Sequence, residues 1–212
     1  FKYPTAAYED VSGIHHQIVQ KFNSQLFSCS LSHSPYDVVA WHGNYAPYKY
    51  NLLLFVPVNA VIVDHMDPSI FTVLTAKSSK PGTAIADFVL FPPNRINPAL
   101  TTFRPAYFHR NVMTEFMGCI SGSYDSKSSR FRPGGASLHN CLVPHGPDQS
   151  TLDREFNRDS DEPSVTADND VSFMFETMYQ LNTSHWASDK VTNIDTNYLD
   201  GWKSIPSTFK LS

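Results

Sequence analysis

From Tyr36 onward the chain runs in short apolar stretches rich in Val, Ile, Phe and Tyr, each ended by Pro, Gly, Asn or Asp. β-Branched and aromatic side chains suit a pleated surface, and Pro and Gly interrupt it, so this pattern predicts many short strands. They are expected over Leu52–Val56, Ala60–Asp64, Ile70–Ala76, Ala86–Phe91, Glu115–Ser121 and Val171–Met178. Asp67-Pro68, Lys80-Pro-Gly82, Pro92-Pro93 and Pro133-Gly-Gly135 favour chain reversal, because Pro fixes φ and Gly accepts positive φ. The spacing of these runs predicts a mainly β fold, an antiparallel barrel or jelly roll with a few short helices. Ahead of them, Ile14–Leu26 sets Ile14, Ile18 and Phe22 four apart, the spacing of one helical face, and predicts a helix. The expected organisation is a lead-in over 1–35 followed by one β domain over 36–212. Within that domain Gln149–Asp170 is dense in Asp, Glu, Ser and Arg and predicts a long acidic surface loop. Its carboxylates lack the Gly-bounded spacing of a cation loop and read as solvated.

Composition narrows the partners. Of 212 residues 41% are apolar and 17% charged, with a net charge of -4, so the chain can bury a full core and offers no basic surface for nucleic acid. The longest apolar run, Leu52 to Val63, is broken by Pro57 and Asn59 and falls short of the roughly 20 residues of a membrane span. The three cysteines, Cys29, Cys119 and Cys141, have no spacing that frames a disulfide scaffold, which suits a reducing compartment such as the cytoplasm. The chain opens Phe1-Lys-Tyr-Pro, without an initiator Met or a secretory signal, and reads as a trimmed or internal start. Asn182-Thr-Ser matches a glycosylation acceptor and, in that context, reads as unmodified.

Candidate chemistry gathers in two stretches, His109-Arg-Asn-Val-Met-Thr-Glu115 and Ser137-Leu-His139-Asn-Cys-Leu-Val-Pro-His145-Gly-Pro-Asp148. His109, Glu115 and His145 form the two-imidazole, one-carboxylate set that a non-haem Fe(II) oxygenase uses on one face of its metal. On a straight strand, residues six apart are separated by about 20 Å, whereas ligand atoms each sit about 2 Å from one ion. His109 and Glu115 therefore require a bend between them, expected around Asn111. The same limit prevents His139 and His145 from both serving on a straight segment. His145 precedes Gly146-Pro147, where a loop can turn its imidazole, so it is taken as the ligand and His139 as a residue of the pocket wall. The chain has nine His, and a single one is more often a surface or hydrogen-bonded core residue, so spacing alone leaves the metal reading open. Cys119 and Cys141 lie near these residues, but soft sulfur does not suit this ligand set and both read as structural. Trp41, Tyr45, Tyr48 and Tyr50, with His42, read as packed residues before they read as a wall for an aromatic ligand.

The wider context carries a resemblance. Thr102-Phe-Arg-Pro-Ala-Tyr-Phe-His-Arg-Asn-Val-Met-Thr-Glu-Phe-Met-Gly118 closely resembles the iron-binding stretch of the homogentisate 1,2-dioxygenase family, and Pro133 to Asp148 resembles its third-ligand loop. Val39 to Asn51 and Asp64 to Lys77 match further stretches in the same order. The match is strong from about Tyr36 to about Tyr179 and looser to the end, with Ala106 standing where the family pattern suggests a second proline. The resemblance implies a cupin-type jelly roll holding one Fe(2+) on His109, Glu115 and His145. It further implies that His65 is the catalytic base and that Tyr124, His139 and His145 lie at the substrate. Ring cleavage of homogentisate by O2, giving maleylacetoacetate in tyrosine and phenylalanine breakdown, is the implied reaction. Family members are about twice as long, so the resemblance covers their C-terminal, iron-binding half. It implies a homo-oligomer, a trimer or a hexamer of stacked trimers. The competing readings are a metal-holding cupin fragment or interaction module without turnover, and an isomerase-like cupin using Zn or Mn.

Overall fold

In the computed structural model, residues 1–2, 13–33, 35, 48–54, 71–94, 96–97, 108–124, 131–157, 164–189 and 194–207 are described. Chain contacts divide it into two units, 1–52 with 182–194 and 53–181 with 195–212.

In the first unit, β1 (His16–Phe22) and β2 (Gln25–Leu31) form an antiparallel hairpin, with Phe22 opposite Gln25. The helix expected over Ile14–Leu26 is thus corrected to a hairpin. A four-residue apolar spacing is also an even one, so Ile18 and Phe22 share a strand face as readily as a helical one. Asn23 and Ser24 decide the matter: both take positive φ, 48° and 63°, the conformation of a tight two-residue hairpin turn. Phe1, Tyr48 and Tyr50 form a small ring cluster in this unit, Phe1 lying 5.4 Å from each tyrosine ring. Trp41, His42 and Tyr45 lie outside the described residues.

The second unit is built on one antiparallel sheet. β3 (Thr72–Lys77), β4 (Ala84–Phe91), β6 (Thr114–Ser121), β7 (Ala136–His139) and β9 (Val171–Thr177) lie in the order β3-β4-β9-β6-β7. β5 (Ile96–Asn97) and β8 (Ser164–Val165) form a separate short pair. Four of the six strands expected from the sequence are present, as β3, β4, β6 and β9. Ala60–Asp64 lies outside the described residues. The strand expected over Leu52–Val56 is instead a 3-10 turn at Leu52–Leu54 where it is described. Three consecutive leucines carry no alternation to specify a strand face, and Leu53 and Leu54 are exposed. The chain is mainly β, and its antiparallel sheet is of the kind that walls a jelly roll; among the described residues the sheet stays open.

Register sets the core. Val89 pairs with Met174 and Met174 with Met117, so these three buried side chains form one row, and Phe91 packs beside them with Phe71, Tyr124 and Phe131. On the opposite face Phe88, Phe116, Phe173 and Phe175 form an aromatic cluster, with Phe88 and Phe175 4.9 Å apart. Gly118 lies under the Phe173 ring, where an added Cβ would stand 2.5 Å from Cζ, so the cross-strand neighbour occupies the space a side chain would need.

The acidic loop expected over Gln149–Asp170 is also corrected. α1 (Gln149–Phe156) opens it, with Asp148 as N-cap accepting from Thr151 N–H at 2.9 Å. Thr151 and Leu152 are buried, so one face of α1 is anchored despite the polar composition. The capping carboxylate belongs to the His145-Gly-Pro-Asp148 stretch, a position read from sequence only as part of a loop. A second short helix, α2 (His185–Asp189), falls in the first unit, and a 3-10 turn, Tyr198–Trp202, in the second. All three cysteines are free thiols, and burial pushes that of Cys119 up. Among the described residues no helix is long and apolar enough to cross a membrane.

Candidate metal centre

The centre begins with a backbone pairing. His109 N–H donates to the His145 carbonyl at 2.8 Å, and His145 N–H donates to the His109 carbonyl at 2.8 Å. Residues that exchange both bonds face each other directly, which sets the two imidazoles side by side with ring centroids 4.6 Å apart. The chain then turns through Asn111 to Met113 and enters β6 at Thr114. This is the bend that reach alone demanded. It returns Glu115, one residue into β6, to the histidines.

Nearby groups hold that turn. Asn111 Oδ1 accepts from Met113 N–H at 2.8 Å, and its carbonyl accepts from Leu142 N–H at 2.8 Å. With the amide oxygen so engaged, Nδ2 faces Glu115 and donates to Oε1. Thr114, fully buried, accepts from Cys141 N–H at 3.1 Å through Oγ1 and ties the start of β6 to the loop after β7. Leu142 in that loop takes positive φ, 64°, as the chain reverses toward His145. The amide of Asn140 fastens the same loop to the Leu181 backbone, donating to its carbonyl at 3.0 Å and accepting from its N–H at 2.9 Å.

Donor atoms of His109, Glu115 and His145 all lie within 4.8 Å of one another. Glu115 and His145 are buried, and Glu115 Oε2 lies 3.0 Å from His145 Nε2. Three donors about 2.1 Å from one ion, at right angles, stand about 3 Å apart, so this separation fits a shared metal. The tautomer fits as well. His145 Nδ1 lies 2.8 Å from the Val143 carbonyl, which only accepts, so a proton sits on Nδ1 and Nε2 is the atom turned toward Glu115, donating to the carboxylate when it carries a proton and offering a lone pair to a metal when it does not. Burial raises the affinity of the Glu115 carboxyl for a proton. Hydrogen bonds from His145 and Asn111, with the charges of His145 and His109, outweigh that effect and hold the group below the usual carboxylate range. An ionised carboxylate beside two imidazoles, at least one oriented by a backbone carbonyl, is a donor set for a divalent metal.

His139 stands opposite Glu115 in the β6–β7 register, so both side chains project from the same face of the sheet, but its nitrogens are not among the clustered donor atoms. Its ring lies parallel to that of His145, centroids 4.3 Å apart at 3°, and its Nε2 is 2.8 Å from the Tyr198 hydroxyl. It is therefore a wall of the centre beside the three clustered donors. Tyr124 sits with its ring against Phe91 and Phe131, at 5.2 and 6.2 Å, on the core side of the sheet. His65 lies outside the described residues. Sequence reasoning missed Asn111 as a partner of Glu115, although its position four residues before the carboxylate in a required bend was a usable signal. It also missed Tyr198 and Trp202, which no local pattern connects with residues some sixty positions earlier.

Residues 53–209 match the family model described as homogentisate 1,2-dioxygenase C-terminal, and residues 1–52 match the one described as homogentisate 1,2-dioxygenase N-terminal. The chain thus carries sequence from both domains, where the resemblance had covered the C-terminal half alone. It is 50% identical over 211 residues to homogentisate 1,2-dioxygenase of Mus musculus, covering 99% of this chain and 47% of the relative. It is 48% identical over 211 residues to the Dictyostelium discoideum protein of that name, covering 100% and 48%, and 48% identical over 211 residues to the Homo sapiens one, covering 99% and 47%. The chain spans about half the length of the curated relatives it matches. A model match over most of its length, joined to a clustered His-Glu-His donor set, shows that the chain belongs to the homogentisate 1,2-dioxygenase family.

Proposed function

We propose that this chain supplies the Fe(2+)-bearing centre of a homogentisate 1,2-dioxygenase. The reaction is the opening of the homogentisate ring by O2 to give maleylacetoacetate, both oxygen atoms entering the product. The observation that carries this reading is the clustered His109, Glu115 and His145 donor set, in a chain about half identical to proteins of that name. These three side chains would hold the metal on one face. An Fe(2+) held there would bind a phenolic oxygen and O2 and would supply the electrons that start oxygen reduction.

The remaining steps fall to side chains. His65 takes the phenolic proton as general base, since neutral imidazole titrates near working pH. Tyr124 and His139 hydrogen-bond the substrate, and Val143, through the Nδ1 of His145, keeps that ring in its donor orientation. A homo-oligomer, trimer or hexamer, and a cytoplasmic setting in tyrosine and phenylalanine catabolism complete the reading.

The test is anaerobic loading with Fe(2+) followed by O2 uptake on adding homogentisate. Uptake matching homogentisate consumed is expected. Iron bound in equal amount with no uptake would replace this reading with that of a metal-holding module. Activity restored by Zn or Mn after chelation, and not by iron, would point to a different cupin chemistry.

A further inference from the structure

The C-terminal 3-10 turn Tyr198–Trp202 touches three parts of the metal centre at once. The Trp202 indole N–H is shared between the carbonyls of Gly146 and Pro147, at 3.2 and 3.1 Å, directly after His145. The Trp202 ring lies 5.6 Å from that of Phe108, the neighbour of His109. Tyr198 Oη lies 2.8 Å from His139 Nε2, and the His139 ring in turn stacks on His145. Gly201 permits the approach: a Cβ there would stand 3.2 Å from Asp148 Cβ, already tight, and a larger side chain would push the turn away from the loop.

From this convergence we infer that Tyr198 and Trp202 are positioning residues of the metal centre, Tyr198 acting through His139 and Trp202 through the His145 loop. The inference rests on the metal reading above. Neither residue belongs to the clustered donors, and neither is assigned a role by the family resemblance. Gly146, Pro147 and Asp148 are buried, so the loop has little water to satisfy its carbonyls, and the indole N–H does so. The His139 imidazole lies parallel to that of His145 at 4.3 Å, and the hydrogen bond between its Nε2 and the Tyr198 hydroxyl restrains the edge of that ring. Burial, with the carboxylates of Asp148, Asp195 and Glu115 adding to it, pushes that hydroxyl up to about 12, so it keeps its proton throughout the neutral range.

The experiment is Co(2+) titration of the intact, metal-stripped protein, followed by visible absorption, for the unaltered chain, Tyr198→Phe and Trp202→Phe. Tyr198→Phe removes the hydroxyl and Trp202→Phe removes the indole N–H with its five-membered ring, each leaving a six-membered aromatic ring, and the second carries the test if the first fails to fold. Each is expected to weaken Co(2+) binding about tenfold, the low end for partners that orient ligands, and to shift the Co(2+) bands although neither side chain is a ligand. Lys203→Ala, on an exposed side chain beside the same turn, is expected to change neither. Affinity and bands equal to those of the unaltered chain in whichever variants fold would overturn the inference while leaving the metal reading intact. Absence of Co(2+) binding by the unaltered chain would overturn both.

Discussion

Two segments of this chain carry the same spacing and come to different ends. His109 and Glu115 are six residues apart, and both join the donor cluster; His139 and His145 are six apart, and only His145 does. The first pair is folded back by a turn at Asn111–Met113, so that a residue ahead of a strand and a residue just inside it meet. The second pair leaves a strand at His139, reverses through Leu142, and brings His145 into backbone pairing with His109. His139 stays on the strand, with its nitrogen engaged by Tyr198. Spacing in sequence therefore sets what is reachable, while the direction of the chain on either side of the turn sets which residue arrives.

The sharpest way to break this contrast is to remove donors one at a time. Glu115→Ala and His145→Ala are each expected to weaken metal binding by more than about 100-fold, beyond the range seen for outer partners, whereas His139→Ala keeps the metal with a loss of about tenfold. Metal analysis after gel filtration distinguishes them, and equal loss in all three would erase the distinction between donor and wall. A smaller effect is expected from Asn111→Ala. It leaves the donors in place but frees one oxygen of Glu115 and unties the turn, lowering affinity about tenfold in a competitive chelator titration. Unchanged affinity would mean that the bend holds without that amide. The smallest effect belongs to the far end of the second segment. Asp148→Ala removes the cap of α1 and is expected to cost about 1 kcal/mol in denaturant unfolding, with the metal retained. A loss of metal in that variant would show that the cap also holds the His145 loop.

Much of this was legible in the residues. The strands β3, β4, β6 and β9 announced themselves because each is a short apolar run between turn residues, a property of six to eight neighbours. The bend at Asn111 followed from reach, since no straight strand brings His109 and Glu115 to one ion. The Ile14–Leu26 stretch was misleading because its four-residue spacing suits both a helix and a strand, and only the left-handed turn at Asn23-Ser24 separates them. Residues 149–156 were hidden by polar composition: among the described side chains of the helix the buried ones are Thr151 and Leu152, which are set in a run of polar residues.

By itself the sequence determined the strand-rich class, the three donor types and the family to which they belong, because local periodicity, donor chemistry and residue identity are carried by the chain wherever it folds. Tertiary structure alone decided that His139 lies flat against His145, that Val143 orients the His145 ring, that Tyr198 reaches His139 and that Trp202 reaches the loop after His145. Those contacts exist only once sheet register and loop closure place distant segments within a hydrogen bond of one another, and no local pattern encodes that distance.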